Sequence, residues 1–554
     1  MCGTGFPALQ ICHSKLRMGK NQDSLQATRA NINDLGREGS LTAERGLMAT
    51  INDAIDACCH LQIPFLWVDR LCIVQDELSE KSTQLNAMGT IYSQSYVTLV
   101  AMAGSDANYG LPGTDGRKRS PQWTGEVQGI YLFENHDPYG YLVIRSKWRS
   151  RGWTFQEATL SPKLLIFTDP GVFYQCHGRL TAAQSEEGEE LELGILAAQI
   201  DLSSYKSLVT EYTTRDLTYE SDIMNAFVGI LHMAYGDQHY YGIPFKQFSW
   251  GLLWQTAKGK YPVRCPHEPN VFPSWSWSSI NNVIAYYFSR NGFTSLGQWA
   301  IPPSRDGSKE LMILPNPSTE PNIAEYNDQY GKLPRHAVLT AWKNGCFPGT
   351  LPEDLKPFTS KKSDTFLKSL ASMHDEAQGM PGGLLNASDQ EARFPLHIQQ
   401  ACQDGCILVY TQSQRLRLLK VSTGYLNEAR LQNAHGDIIA LVPVNTTNWE
   451  QIDLIPHGKN GAEFDVLALS MSYNVTDLPK GDCPDIFGKT QLTGITESEG
   501  ISTDYPMFER GCSPEINLMV VDTKIGISRR VALGKATLKN WIKSKPKFQT
   551  FILG

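Results

Sequence analysis

The chain is 554 residues long, enough for two or three domains, and with 41% hydrophobic and 19% charged residues it has an ordinary globular composition. A net charge of −7 gives no electrostatic reason to expect nucleic acid or an anionic membrane as a partner. The sequence contains no signal-peptide core and no stretch approaching the roughly 20 apolar residues of a membrane span. We therefore expect a cytoplasmic protein without a membrane span.

Residues 1–46 have little hydrophobic periodicity and are predicted to form an irregular lead-in. A regular pattern begins at Leu47, after which Ile51, Ala54 and Cys58 recur at helical spacing. One face of this predicted helix should therefore pack on a sheet.

The run FLWVDRLCIVQ, residues 65–75, predicts a short buried strand that is followed by polar groups. Asp69, Arg70, Cys72 and Gln75 stand at or just beyond its carboxyl end, where an open α/β sheet places a ligand crevice. In the simpler interpretation, Asp69 caps the next element and Cys72 fills the core. A nucleophilic role for Cys72 would need a positioned base.

The next elements alternate between helix and strand. Ser79 is a predicted N-cap for a second helix, and VTLVAM, residues 97–102, is rich in β-branched residues and predicts a strand. Helix, strand, helix and strand at these lengths favour parallel strands in a doubly wound α/β layer. A loop-like stretch over 112–140 then leads to a predicted strand at 141–145.

The block RGWTFQEATLSP combines aromatic and charged residues. Trp153, Gln156 and Glu157 lie three and four residues apart, so a helical turn would bring them onto one face, with Arg151 just before it. The segments KLLIFT and VFYQC follow and predict a pair of strands joined by a tight turn.

The second half of the chain is predicted to be β-rich. The acidic segment 185–194 reads as a solvated stretch that separates modules, and the region from 195 to about 257 has helical periodicity. Strands separated by turn-forming residues follow, at HAVLTAW, CILVYT, RLRLLKV, DIIALVPV, FDVLALSMSY and INLMVVDT. A mainly antiparallel sandwich or barrel is the natural packing. The predicted division is a lead-in (1–46), an α/β core (47–180), a linker and helical connector (181–270) and a β-rich domain (271–554).

Several blocks in this order resemble the HET domain, the heterokaryon-incompatibility module of filamentous fungi. They correspond to its WIDxLCIxQ, MxxIYxxA, RGWTxQExxLSPRxLxF and PSWSW motifs and cover roughly residues 47–280. The resemblance implies a TIR-like doubly wound α/β module. The block YxALSYxWG, which family members usually carry before the first helix, is not recognisable, and this puts any inherited catalysis in question.

The resemblance implies an effector of nonself recognition and regulated cell death, with NAD as a substrate by analogy with TIR domains. Cleavage of NAD needs an aromatic ring to stack nicotinamide, a carboxylate to stabilise the ribosyl cation, and hydrogen-bond donors. The carboxylates would be Glu157 and Asp69, and the residues that bind the substrate would be Trp153, Arg70, Gln75, Gln156, Arg151 and Cys72. In the alternative interpretation, Trp153 and Gln156 anchor the core and Glu157 pairs with an arginine.

Two other functions stay open. The chain could be an enzyme of fungal secondary metabolism, a cyclase or similar catalyst with a small-molecule substrate in an aromatic pocket. It could also be a non-enzymatic scaffold that acts as a homo-oligomer or through a partner protein. The histidines and cysteines lack metal-ligand spacing, so we predict no metal site. No cofactor is implied by any motif.

Overall fold

The structure is a computed structural model, and the residues that it describes are 9–13, 24–104, 106–114, 116–120, 123–134, 137–176, 182–184, 190–192, 205–257, 259–268, 271–286, 294–304, 310–314, 390–423, 426–443, 461–472 and 515–554. The predicted strand HAVLTAW and most of the acidic segment 185–194 lie outside these residues. The chain divides into two compact units, residues 1–242 and 243–554.

Strands and helices alternate along much of the first unit. Its strands are β1 Leu9–His13, β2 Leu66–Trp67, β3 Ser95–Ala101, β4 Thr124–Val127, β5 Ile130–Phe133, β6 Lys163–Phe167, β7 Val172–Cys176, β8 Ala182–Gln184, β9 Glu190–Glu192 and β10 His239–Tyr240. Its helices are α1 Ile32–Leu35, α2 Ala49–His60, α3 Asp69–Cys72, α4 Leu78–Ser93, α5 Tyr139–Arg145, α6 Trp153–Leu160, α7 Tyr205–Tyr212 and α8 Asn225–Tyr235. Short 3-10 helices occupy Ala43–Arg45 and Glu220–Ile223.

Seven of these strands form one mixed sheet in the order β2-β1-β3-β6-β7-β8-β9. Strands β2, β1, β3 and β6 are parallel, and the pairings from β6 to β9 are antiparallel. The first unit is thus a mixed α/β unit, and the predicted strand pair KLLIFT and VFYQC is confirmed as β6 and β7.

Helices cover both faces of β3. Val100 packs with Tyr139 of α5 and Ala158 of α6, whereas the neighbouring Leu99 packs with Ala54 of α2. Adjacent residues of a strand point to opposite faces, so this alternation buries β3 between two helical layers. Burial on both faces explains why VTLVAM is apolar apart from Thr98.

Three predictions for this unit were wrong. Leu9–His13, in the segment predicted to be irregular, forms β1 between β2 and β3; five residues with Gln10 inside the run carry too little periodicity to be recognised. Residues 141–145 are helical, because Tyr139 and Val143 lie one turn apart and are both buried. Ser79 lies inside α4, whose N-cap position is Glu77.

Helices α4 and α8 approach each other at two glycines. A Cβ atom added to Gly89 would lie 2.8 Å from Cα of Gly229, and one added to Gly229 would lie 2.9 Å from Cα of Gly89. Such distances leave no room for a methyl group, so the backbones themselves are in contact. Because Gln156 of α6 also lies against Gly229, this contact fixes three helices around one point.

The second unit is built mainly from strands. They are β11 Ile243–Pro244, β12 Gln255–Thr256, β13 Ile284–Ala285, β14 Thr294–Ser295, β15 Gln298–Ile301, β16 Met312–Ile313, β17 Ile407–Thr423, β18 Leu426–Gln432, β19 Ile438–Val442, β20 Glu463–Ser472, β21 Glu515–Lys524, β22 Ile527–Thr537 and β23 Lys547–Leu553. The helices are α9 Phe248–Gly251, α10 Gln390–Arg393, α11 Leu396–Gln400 and α12 Leu538–Lys543, with 3-10 helices at Phe245–Gln247 and Trp277–Ser279.

Six strands of the second unit form a closed ring of antiparallel pairings. The ring runs β17-β18-β19-β22-β21-β20 and returns to β17. Its core contains fully buried aliphatic side chains such as Leu418, Leu431 and Leu518. The predicted antiparallel, β-rich domain is confirmed. CILVYT and RLRLLKV, predicted as two strands, are one continuous strand of 17 residues, because the intervening Gln412–Gln414 contains no Gly, Pro, Asn or Asp.

No helix in the described parts of the chain is long and apolar enough to cross a membrane.

The contact between α4 and α8 gives a stability prediction. Gly89→Ala should lower the free energy of unfolding by about 1–3 kcal/mol, because the methyl group forces the helices apart. Helix propensity alone would make the alanine variant more stable by about 1 kcal/mol. A loss of stability would therefore show that the steric effect outweighs helix propensity. The control is Gly171→Ala, since a Cβ atom there meets nothing within 4 Å. Equal urea midpoints for the two variants would contradict the close approach.

Candidate functional site

The polar residues after β2 form a helical turn, α3, that begins at Asp69. Asp69 is 8% exposed, and its Oδ1 accepts a hydrogen bond of 2.7 Å from the backbone N–H of Arg70. This bond satisfies an N–H group at the start of the turn. The carboxylate is thereby held at the carboxyl end of β2, where the sequence predicted it.

Arg70 and Gln75 hold the backbone around Asp69. The Arg70 guanidinium donates to the carbonyl of Leu25 at 2.8 Å and to the carbonyl of Ser24 at 3.0 Å. The Gln75 amide donates to the carbonyls of Asp69 and Ile73, both at 3.0 Å. Substrate binding by Arg70 and Gln75 stays a prediction, whereas these described bonds are structural.

Glu157 is supplied by α6 and is completely buried. The indole N–H of Trp148 donates to its Oε1 at 2.9 Å. Trp148 is itself 3% exposed and packs with Val143 and Ala158. The carboxyl group is thus covered by an aromatic ring and bound by that ring's only donor.

Burial is the main cause of the shifted pKa of Glu157. Loss of hydration raises the pKa of this carboxyl group to about 8, although the Trp148 hydrogen bond and the charge of Arg151 lower it. The negative charge of Asp69 raises the pKa further. Since burial disfavours the charged form, Glu157 is mostly protonated at neutral pH.

Tyr92, near the end of α4, and Arg151 belong to the same electrostatic group. Burial raises the pKa of Tyr92 well above its usual value, and the charges of Glu157 and Asp69 act in the same direction. Burial lowers the pKa of Arg151, whereas Glu157, Asp69 and Tyr92 raise it. We call Asp69, Tyr92, Arg151 and Glu157 the carboxylate cluster.

A second set of bonds fixes the loop that carries Trp148 and Arg151. The hydroxyl of Thr154 donates to the carbonyls of Trp148 and Arg151, at 2.6 and 2.7 Å. Arg215 donates to the Thr154 hydroxyl at 3.1 Å, and its guanidinium lies 4.8 Å from the centroid of the Phe155 ring. The loop therefore presents its side chains to Glu157 in one defined conformation.

The remaining predicted residues have different surroundings. Gln156 donates to the backbone carbonyl of Asn225 at 2.9 Å and so ties α6 to α8. Trp153 is 8% exposed. Cys72 is partly exposed, but its sulfur accepts a hydrogen bond from the N–H of Val68, and desolvation raises its pKa. A thiol with a raised pKa lacks the activation of a cysteine nucleophile.

The structure thus brings together Asp69, Arg151 and Glu157 of the predicted residues. Sequence reasoning gave no role in the site to Tyr92 or Trp148. Tyr92 lies in the second predicted helix, where nothing distinguishes it from a core residue, and Trp148 directly precedes the tripeptide Arg149-Ser150-Arg151 without any periodic signal. Among the described residues, no group of His, Cys, Asp and Glu could hold a metal ion.

The raised pKa of Glu157 predicts a pH-dependent stability. Unfolded chains ionise this carboxyl group near pH 4.5, whereas the folded chain retains the proton to about pH 8, so folding loses stability as pH rises through this window. Glu157→Gln removes the ionisation and keeps an oxygen for Trp148. Its free energy of unfolding, measured in urea, should rise relative to the wild type between pH 5 and pH 8, by on the order of a few kcal/mol.

Glu38→Gln is the control, because Glu38 is exposed and should change the midpoint little at any pH. A difference between wild type and Glu157→Gln that stays constant across this range would contradict the buried, protonated state.

Comparison with known proteins agrees with the motifs. Residues 17–157 match the family described as heterokaryon incompatibility protein (HET), a segment that begins after β1 and ends at Glu157. All four residues of the carboxylate cluster therefore lie inside the matched segment. No curated protein and no solved structure matches the chain. The match identifies a heterokaryon incompatibility domain over residues 17–157 of the chain.

Proposed function

We propose that this HET-domain protein is an effector of fungal nonself recognition that hydrolyses NAD at the carboxylate cluster. The observation that carries the proposal is the pairing of a buried, protonated Glu157 with Asp69 and Arg151 in one electrostatic group. Two carboxyl groups in different environments are the usual means of cleaving a glycosidic bond. The spatial order of the parallel strands, β2-β1-β3-β6, also supports a TIR-like doubly wound module.

The reaction breaks the bond between the nicotinamide nitrogen and C1′ of the ribose. The bonding electron pair leaves with nicotinamide, a water oxygen bonds to C1′, and the released water proton passes to a carboxylate. The negative charge of Asp69 stabilises the oxocarbenium-like transition state, and Arg151, which is partly exposed, binds a phosphate of the substrate. ADP-ribose and nicotinamide are the products.

The described conformation corresponds to a resting state. Glu157 is covered by Trp148, so a substrate reaches it only when the indole moves. Entry of water then removes the main cause of the raised pKa, and Glu157 ionises beside the developing cation. This property suits an effector that must stay inactive until it is triggered.

Nicotinamide release from NAD by the full-length chain is the direct test. Glu157→Gln and Asp69→Asn should each reduce turnover by about 100-fold or more, because each removes a charge from the transition state. Glu38→Gln is the matched control and should retain full activity. Melting curves establish that each variant is folded.

Two results would contradict the proposal: release of no nicotinamide by both the folded wild type and folded Trp148→Ala at high enzyme concentration, or undiminished activity when Glu157→Gln is added to whichever of these two proteins is active. An inactive wild type beside an active Trp148→Ala variant would support both the site and the resting state.

A second candidate function, an oligomerising scaffold, is favoured by the hairpin β4–β5. Within the described residues it pairs with no other strand, and one face carries Trp123, Val127, Ile130 and Leu132, which are 72%, 57%, 65% and 49% exposed. An exposed apolar face of this kind marks an interaction surface. Because both outer edges of the hairpin are unpaired there, a second copy of the chain could extend it by antiparallel pairing.

The scaffold function predicts that a charge on this face separates the copies. Ile130→Lys should convert a dimer into a monomer in light-scattering measurements. Tyr219→Lys is the control, since Tyr219 is 69% exposed but lies outside the hairpin. A monomeric wild type at high concentration would exclude self-association through the hairpin.

A further inference from the structure

The second unit contains a cavity of about 430 Å³, which is unrelated to the carboxylate cluster of the first unit. It lies at one end of the strands β20, β21 and β22. Phe464 near the start of β20, Asp522 and Lys524 near the end of β21, and Arg529 to Val531 of β22 contribute to its lining. This volume falls in the range of natural small-molecule sites.

The chemistry of the lining is both aromatic and basic. The aromatic side chains are Trp254, Tyr261, Phe272 and Phe464, and the charged ones are Arg264, Arg529, Arg530, Lys524 and Asp522. Four basic residues thus face one acidic residue, in a chain whose net charge is −7. Asp522 is paired with Lys524 at 2.8 Å, and among the described residues it forms no ion pair with Arg530.

Arg530 is the central cation. It is 7% exposed, and its guanidinium lies 3.7 Å from the centroid of the Trp254 ring. It donates to the carbonyl of Leu252 at 2.7 Å and to the carbonyl of Trp254. A guanidinium has five N–H groups, so these two bonds leave three for another acceptor. Among the described residues, no carboxylate forms an ion pair with Arg530.

Arg264 adds a second buried guanidinium to the lining. It is 6% exposed and donates to the carbonyls of Ser278 and Ile280, at 3.0 and 2.8 Å. These carbonyl bonds hold the Arg264 guanidinium in a fixed orientation in the lining.

We propose that this cavity binds a planar organic anion, with its ring against the aromatic side chains and its anionic group on the guanidinium of Arg530. Guanidinium groups bind carboxylates in a planar, charge-assisted geometry. The aromatic walls add stacking surface, which suits a flat apolar body. The site is a binding site in the second unit and does not depend on the proposed NAD hydrolysis in the first.

The test uses 2-naphthoate and its uncharged counterpart 2-naphthalenemethanol, titrated into the full-length chain by calorimetry. We expect 2-naphthoate to bind with a Kd below about 1 mM, and the alcohol to bind at least about 10-fold more weakly. Equal affinities would overturn the anion preference. Absence of 2-naphthoate binding at several times this concentration would overturn the site.

Two variants locate the binding. Val263→Trp introduces a large ring at a cavity residue that is 42% exposed, and it should abolish binding of 2-naphthoate. Met312→Trp is the matched control, because Met312 is 43% exposed and is not part of the lining. Unchanged binding in folded Val263→Trp would place the ligand elsewhere and overturn the proposal. Arg530→Met, if it folds, should remove the preference for the acid over the alcohol.

Discussion

The first unit depends on a carboxyl group that has been removed from water. Glu157 is completely buried, and Trp148 and Arg151 are the neighbours that offset the cost of its burial. Thr154 and Arg215 in turn fix the loop that supplies both neighbours. A buried carboxyl group needs such partners, because desolvation without them costs several kcal/mol. The conformation of the loop 148–154 is therefore coupled to the state of a single side chain.

Sequence patterns located the elements with strong periodicity. Helix α2, strand β3 and the β6–β7 pair were predicted because each buries a regular apolar face. Strand β1 was missed, because its five residues are identified as a strand only by their pairing with β2 and β3 on either side. Helix α5 was mistaken for a strand, because a seven-residue segment offers less than two helical turns for recognition. Whether a short segment becomes a strand or a helix depends on tertiary contacts, which a local sequence pattern does not reveal.

In the candidate site, too, some residues were predictable from a local pattern and others are placed by tertiary contacts. Asp69 was predicted from its place after a buried strand, and Glu157 from its place in a helical block, and the structure brings both into one electrostatic group. Tyr92 and Trp148 reach this group through packing between helices, which no spacing in the sequence encodes. Gln156, by contrast, is three residues from Trp153 but bonds to α8. Helical spacing indicated which residues share a face, but not what each residue would contact.

The long strand β17 has a consequence for how the second unit folds. Its start pairs with β23 at the far end of the chain, its middle pairs with β20, and only its last third pairs with the next strand, β18. Contacts between residues so distant in sequence form slowly, because closing the long loop between them loses chain entropy before the contacts stabilise the fold. The ring should therefore form late and slowly, and a nascent chain would expose the unpaired edge of β17 until Lys547–Leu553 has been synthesised. Such an edge is a site where chaperones or other chains can intervene during synthesis.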